Sequence, residues 1–444
     1  MKNLIDERGA TVALIADPLE WRIRVVEEIT VDAATHCLRR RSLQVAPLRA
    51  LLAPFVTYND SEALLALNIA PMPRGPLLDF SVTGPLGDAW LLPRLEIAER
   101  EAQYLARVAK HAGVPLNVDQ QRLLTEILGF PESLLSGSDP TDLEDYLEKA
   151  FGRRVSEGAI QDWRAIGISC KRILRPHLDE FKGYSVCENP ALALPTLFGY
   201  DDLDETRATH YLRDYLRMLR NLKLTAVAGD KPDAATEFLE ALADYGNYYD
   251  LIAGMKVPLD EPFLVKYSER RSFSIGSLTN RSSQDLIVRD ARSNHVTFKI
   301  SDPSVRIVEF NAFKPGNDAL AYGSFLARDD EQTKSFYAHG ADRDYRVRLV
   351  YRLALLRRLQ LVPYLSAVLI LLLAIVLVLQ PTRDLKTLAL VVGPVALAAS
   401  ILVAREPSTL GSRLRLASTL LLGSAVVVLM SAAVVSYVYA TLSH

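Results

Sequence analysis

Apolar and polar positions in this chain follow a period of two, then a helical period, then a period of two again, and end in long apolar runs. In the opening section Trp21, Ile23 and Val25 alternate with Arg22 and Arg24, which turns one side of an extended chain to a core and the other to water. Short apolar runs at Val12–Ile15, Leu43–Val45 and Leu64–Ala70 read as further strands. Pro76–Val82 and Ala89–Leu92 flank Thr83-Gly84-Pro85-Leu86-Gly87-Asp88, a good hairpin connection. Leu95, Ala98, Ala102, Leu105, Ala109 and Ala112 then keep helical spacing, and Gly113 and Pro115 stop that helix.

From Asn117 to about Gly254 the period is helical. Thr141-Asp142-Leu143-Glu144 has the form of a capping box ahead of Tyr146, Leu147 and Phe151, with Gly152 as the stop, and a longer helix is expected over Glu157–Leu174. Arg207, His210, Arg213, Arg217 and Arg220 line one face of a further helix. Beyond a Gly and Pro break, Asp233, Glu237, Glu240 and Asp244 make an acidic stripe on the next. Helices joined by so short a turn pack antiparallel, so the two stripes are expected to pair.

Strand patterning returns at Phe263, and Val296, Phe298 and Ile300 alternate with Thr297, Lys299 and Ser301. Asp302-Pro303-Ser304 reads as a turn. With the strands that follow, these suit an antiparallel sandwich of immunoglobulin-like size. The last strand runs into the apolar tail without a linker. Tyr345, Val347, Leu349, Tyr351 and Leu353 alternate with Arg346, Arg348 and Arg352; Arg357 and Arg358 follow, then Leu359–Leu379. That run is long enough to cross a bilayer core of roughly 30 Å. Thr387–Ala404 and Leu416–Leu442 are two further apolar segments. The expected fold class is α+β: a β-rich section with one helix over 1–113, a helical section over 114–258, an antiparallel β-sandwich over 259–354 and three transmembrane helices over 355–444.

Charge divides the chain in the same place. Residues 343–444 hold 11 Lys and Arg against 3 Asp and Glu, which leaves 40 against 50 for residues 1–342. An acidic body lacks the positive footprint that nucleic acid requires, so no nucleic-acid partner is expected. The arginines at 343–358 and the three in the connection Arg405–Arg415 put the body in the cytoplasm and the C-terminus outside, in a multi-pass inner-membrane protein. Arg346, Arg348, Arg352, Arg357 and Arg358 then form a collar for anionic lipid headgroups. Three widely spaced cysteines, Cys37, Cys170 and Cys187, form neither a disulfide framework nor a CxxC pair, and nothing in Met1–Ala16 reads as a signal peptide.

Chemistry is sparse. The chain has no P-loop, GxSxG elbow, HExxH motif or dinucleotide fingerprint, and its seven histidines are scattered, so neither cofactor nor metal is expected. None of the three apolar segments carries an ionisable residue near its centre, as ion and proton pathways usually do. The candidate ligand site is Arg39, Arg40 and Arg41, whose guanidinium forks suit a headgroup or nucleotide phosphate. Consecutive strand residues face opposite ways, so a shared ligand would need a bulge; the plainer expectation is a charged edge strand.

Leu38-Arg39-Arg40-Arg41-Ser42, Pro76-Leu77-Leu78-Asp79-Phe80 leading into Leu91-Leu92-Pro93-Arg94, and Asp290-Ala291-Arg292-Ser293-Asn294-His295-Val296 resemble segments of uncharacterised bacterial membrane-anchored proteins with a large cytoplasmic body and C-terminal spans. That resemblance implies no activity and no functional residues. The expectation is a non-enzymatic membrane-anchored sensor, scaffold or effector that binds a protein partner, a ligand or copies of itself. A membrane-permeabilising defence effector, and an enzyme on lipid or nucleotide, are the alternatives.

Overall fold

The computed structural model describes residues 6–57, 60–74, 77–131, 142–177, 185–199, 203–272, 275–276, 281–287, 291–314, 317–320, 330–339, 346–380, 384–403, 410–414 and 416–442. The chain opens with helices α1 (Glu7–Ala16) and α2 (Pro18–Trp21), then strands β1 (Arg22–Val31) and β2 (His36–Val45), the short helix α3 (Arg49–Leu52), and strands β3 (Glu62–Pro73), β4 (Leu78–Gly84) and β5 (Gly87–Leu91). A helical section follows: α4 (Arg94–His111), α5 (Val118–Gly129), α6 (Leu143–Phe151), α7 (Glu157–Leu174), α8 (Leu194–Phe198), α9 (Glu205–Ala228) and α10 (Pro232–Tyr245). Strands return as β6 (Tyr248–Pro258), β7 (Phe263–Ser272), β8 (Arg281–Ile287), β9 (Ser293–Ile300), β10 (Val305–Lys314), β11 (Asn317–Leu320), β12 (Thr333–His339) and β13 (Arg346–Leu355). Helices α11 (Arg357–Leu379), α12 (Leu385–Val403), α13 (Leu410–Leu414) and α14 (Leu416–Leu442) end the chain.

Local chemistry accounts for several boundaries. Asn117 and Gln120 form a reciprocal capping box at α5, with Gln120 N donating to Asn117 Oδ1 at 2.7 Å and Asn117 N to Gln120 Oε1 at 2.9 Å. Asp142 caps α6, which ends on Gly152 at φ 63°, a conformation glycine adopts without penalty. The capping-box residue Thr141 lies outside the described residues. Val12–Ile15 is not a strand: Asp6 accepts a hydrogen bond from Gly9 N at 2.9 Å and starts α1, whose residues 10–15 are all buried. Four adjacent apolar residues carry no period, and burial on every side of a short helix looks the same in sequence as burial of a strand.

The strands before and after the helical section belong to one layer. Nine strands run in the order β12-β9-β1-β2-β7-β4-β5-β6-β3, so β6 and β7 insert among strands laid down some 160 residues earlier. Every pairing is antiparallel except that of β1 with β9. β6 lies where the sequence was read as helical; it is buried on both faces from Tyr249 to Met255, which erases the alternation that marks a half-buried strand. The sheet is rolled: Arg22 Nη2 on β1 donates to the carbonyl of Asn68 on β3, six places away in the sheet.

The body has two apolar cores. The larger joins α1, α4–α7, α9 and α10 to β3, β6, the first half of β1 and the second half of β2. The smaller joins the far ends of β1, β2 and β9 to a four-stranded sheet ordered β11-β10-β13-β8. At its centre Phe298 lies 4.3 Å from Tyr351, ring to ring, and 6.1 Å from Phe310. The strands beyond residue 259 are therefore shared between two sheets, with β7, β9 and β12 in the nine-stranded one.

Among the described residues two helical stretches, Leu361–Leu379 and Ser418–Leu442, are long and apolar enough to cross a membrane, where three were expected. The middle segment is the helix α12, which passes through Gly393-Pro394 without a break but is not one of these two. α11 and α14 pack on each other through Ala367, Ile370 and Ala374 and through Leu422, Ala425, Leu429 and Ala432, whose alanines are small enough to let the helix backbones approach. Most of their other side chains face outward, among them Leu361, Leu365, Leu369, Leu420 and Val434.

Truncating Phe298 would open the smaller core on both sides at once. Phe298→Ala is expected to destabilise the body by about 3–5 kcal/mol, read from denaturant unfolding in detergent, with the body more sensitive to protease near β13; a loss under about 1 kcal/mol would show that the two sheets do not depend on this contact.

Candidate functional site

The inner face of β1, β2 and β7 carries a layer of charge between the two cores. Along β1 the buried positions read Val25, Glu27, Ile29; along β2 Leu43, Arg41, Arg39, Cys37; along β7 Val265, Tyr267, Glu269. Glu27 stands opposite Arg41, Arg41 opposite Tyr267, and Arg39 opposite Glu269. Arg39 reaches diagonally as well: Nε and Nη2 donate to the two oxygens of Glu27 at 2.6 and 2.9 Å, and Nη1 donates to Glu269 Oε1 at 3.1 Å. Arg271 Nε donates to the same Glu269 oxygen at 2.6 Å. The fork and the paired oxygens match in plane, which makes this the strong form of the interaction.

Burial disfavours charge on Glu27, yet Arg39, with Arg41 and Arg271 behind it, more than compensates and holds its carboxyl below the usual range. Burial likewise opposes the charge on Arg39, and Glu27, Tyr267 and Glu269 hold it firmly protonated. Arg41 and Arg22 are less well served. Burial lowers both, and with Arg41 as its neighbour Arg22 falls to about 9.

The candidate ligand residues are therefore split between two faces. Arg39 and Arg41 point inward at 3% and 1% exposure, while Arg40 points to water and approaches Glu28 at 3.9 Å. β2 is an interior strand between β1 and β7, not an edge, and runs through these residues without a register shift.

A second buried cluster adjoins Arg22. Asp250 on β6 accepts from Tyr245 Oη at 2.7 Å, and its backbone N donates to Glu101 Oε1 on α4 at 2.8 Å. Arg94 stacks on Tyr249 at 4.3 Å and lies 3.7 Å from Glu101. Arg94 and Arg74 both donate to the Leu128 carbonyl at the end of α5, where cations suit the helix dipole. Burial, set against Arg94, raises Glu101 to about 7, and burial raises Asp250 too. This acid pair joins the helical section to the sheet, and neither it nor the arginine layer was legible in sequence, because Asp250 lies 149 residues from Glu101 and Glu269 lies 230 residues from Arg39.

Other expected features fall into place more loosely. Arg352 on β13 is exposed and pairs with Glu309 at 3.5 Å. Arg346 and Arg348 lie on the same strand, and Arg357 and Arg358 begin α11. Part of the basic stripe on α9 turns away from α10: Arg213 pairs with Asp162 on α7 at 2.9 Å, and Arg217 and His210 with Asp214 of their own helix at 3.0 and 3.4 Å. The helices α9 and α10 meet through their apolar faces instead. Among the described residues no group of His, Cys, Asp and Glu is arranged to hold a metal ion, and all three cysteines are buried.

Glu27→Gln would leave Arg39 without its matched anion and is expected to cost about 3–5 kcal/mol of stability; an unchanged denaturation midpoint would overturn that role. Glu101 gives a pH signature. Its folded pKa, about 7, lies above the ordinary 4.5, so its contribution to stability is full below pH 4.5 and is lost as pH rises through 7. Glu101→Gln should match the native chain near pH 4.5 and exceed it at pH 8 by about 1–3 kcal/mol, measured by denaturant unfolding; a variant less stable than the native chain at pH 8 would contradict the assignment. No family model, no curated protein and no solved structure matches this chain.

Proposed function

We propose that the chain is a non-enzymatic, membrane-anchored sensor, scaffold or effector, a body on one side of a bilayer fastened to a bundle of three crossing helices. The observation that carries this reading is the absence of slack at the junction. β13 is an interior strand, paired with β10 on one side and β8 on the other, and only Leu356 separates it from α11. The body therefore reaches the membrane as a sheet rather than on a tether.

The position of α13 supports three crossings. Leu410 and Leu414 are buried in the smaller core of the body, so the connection between α12 and α14 lies on the body's side. If α11 leaves that side, α12 has to bring the chain back and α14 takes it out again, which makes three crossings and leaves the C-terminus on the far face. The arginines before α11 and in the connection make the body's side the cytoplasmic one, at a bacterial inner membrane.

Of the collar residues, Arg357 and Arg358 in the first turn of α11 stand nearest the headgroups. Arg346, at the far end of β13, lies about 30 Å along the strand from Leu355, beyond the reach of surface potential if the strand stands upright. The partner we favour is a protein or a second copy of the chain.

Two measurements test this. In membranes from a bacterial host the protein should resist carbonate extraction, and in spheroplasts a tag after His444 should be removed by protease while a tag at Met1 is spared; release by carbonate, or equal cleavage of both tags, would overturn the anchor or its topology. Purified protein in liposomes should pass no ions, and flux that appears with oligomer formation would replace the anchor by a pore.

A further inference from the structure

The turn Asp302-Pro303-Ser304, between β9 and β10, touches the start of both outgoing helices. Ser304 O accepts from Leu356 N at 2.9 Å, one residue before α11. Asp302 Oδ2 accepts from Gly411 N at 2.8 Å, in the helical turn before α14. The other carboxylate oxygen, Oδ1, accepts from Ser304 N at 2.9 Å and Ser304 Oγ at 2.5 Å, which fixes the carboxylate in place. Gly411 is fitted to this contact: a Cβ there would lie 2.7 Å from Ser304 Oγ and 2.9 Å from Asp302 Oδ2. The turn is tied in turn to the nine-stranded sheet, since Ser301 N donates to Val31 O at 3.0 Å, at the end of β1.

The two grips differ in kind. α11 continues a strand held by ladders on both sides. Among the described residues, α14 is tied to the body through α13, by the charge-assisted hydrogen bond from Gly411 N to Asp302 and by Leu410 and Leu414. We infer that the Asp302–Ser304 turn is a clamp on the α11–α14 pair, with α13 as its releasable jaw, so that the position of α14 in the bilayer and the state of the smaller core are linked. Each side biases the other, as any linkage between two sites requires. This rests on the membrane-spanning reading above.

The test uses the full chain in phosphatidylcholine vesicles of increasing acyl length, which pull on the spans through hydrophobic mismatch. Flotation with the vesicles comes first, and failure to float would sink the membrane reading without touching the clamp. In the native chain the body's melting temperature should shift with acyl length, and trypsin should cut slowly at Arg413. Asp302→Ala should abolish the shift and speed that cut about ten-fold, in keeping with loss of a hydrogen bond to a charged group. Gly411→Val attacks the same contact from the other side, so a folding defect confined to one variant does not spare the proposal. Variants that float but keep both the acyl-length dependence and the protection of Arg413 would overturn the clamp.

Discussion

A guanidinium with 3% exposure can exist only where neighbouring groups replace water, and Arg39 meets that demand through two carboxylates from two flanking strands. The requirement governs pairing more than it adds stability. Sliding β2 by one residue would exchange its faces, carrying Arg40 inward in place of Arg39 and Arg41 and, with it, Ser42 and Gln44 in place of Leu43 and Val45. The charge layer and the apolar residues on either side of it thus set the register of β1, β2 and β7 together, and the layer lies at the plane where the two cores meet.

That plane explains why strands so distant in sequence share one sheet. β1 and β2 are ten residues long each, enough to carry Val25 and Leu43 into the larger core and Ile29 and Cys37 into the smaller one. With both ends of β1 buried, its remaining edge must be covered, and β9 lies parallel along it from Arg24 to Val31. The smaller core then assembles on the far end of a strand whose near end is fixed to β3 through Arg22 and the Asn68 carbonyl.

The sequence makes the local half of this structure readable. Gly113 and Gly152 end helices where expected, the β4–β5 hairpin forms, and the alternation at Val296–Ile300 is a strand. What escapes it is whatever depends on partners far along the chain. β6 has no alternation because both faces are covered, and Val12–Ile15 has no period because its helix is buried all round. Arg39 and Arg41 look like surface charges until β1 and β7 bring Glu27 and Glu269 to them, and Glu101 looks like an ordinary helix acid until β6 presents the Asp250 amide. A charged residue carries no mark of burial when its counterion is more than two hundred residues away, as Glu269 is from Arg39.

The same layering bears on how the body meets its C-terminal helices. The smaller core is bounded above by the charge layer and below by Leu355, Leu410 and Leu414, so its lower boundary is made of the residues that lead into the outer helices. Close-packed interiors move as units rather than deforming smoothly. A rearrangement of Phe298 and Tyr351 would therefore reach β13 and α13 together, and through them α11 and α14, which are already packed on each other. The larger core reaches the smaller one along β1 and β2, whose central charges, Glu27 and Arg39, are bonded to each other in the layer between. The smaller core is thus the part of the body mechanically closest to α11 and α14, and the charge layer lies between it and the helical section.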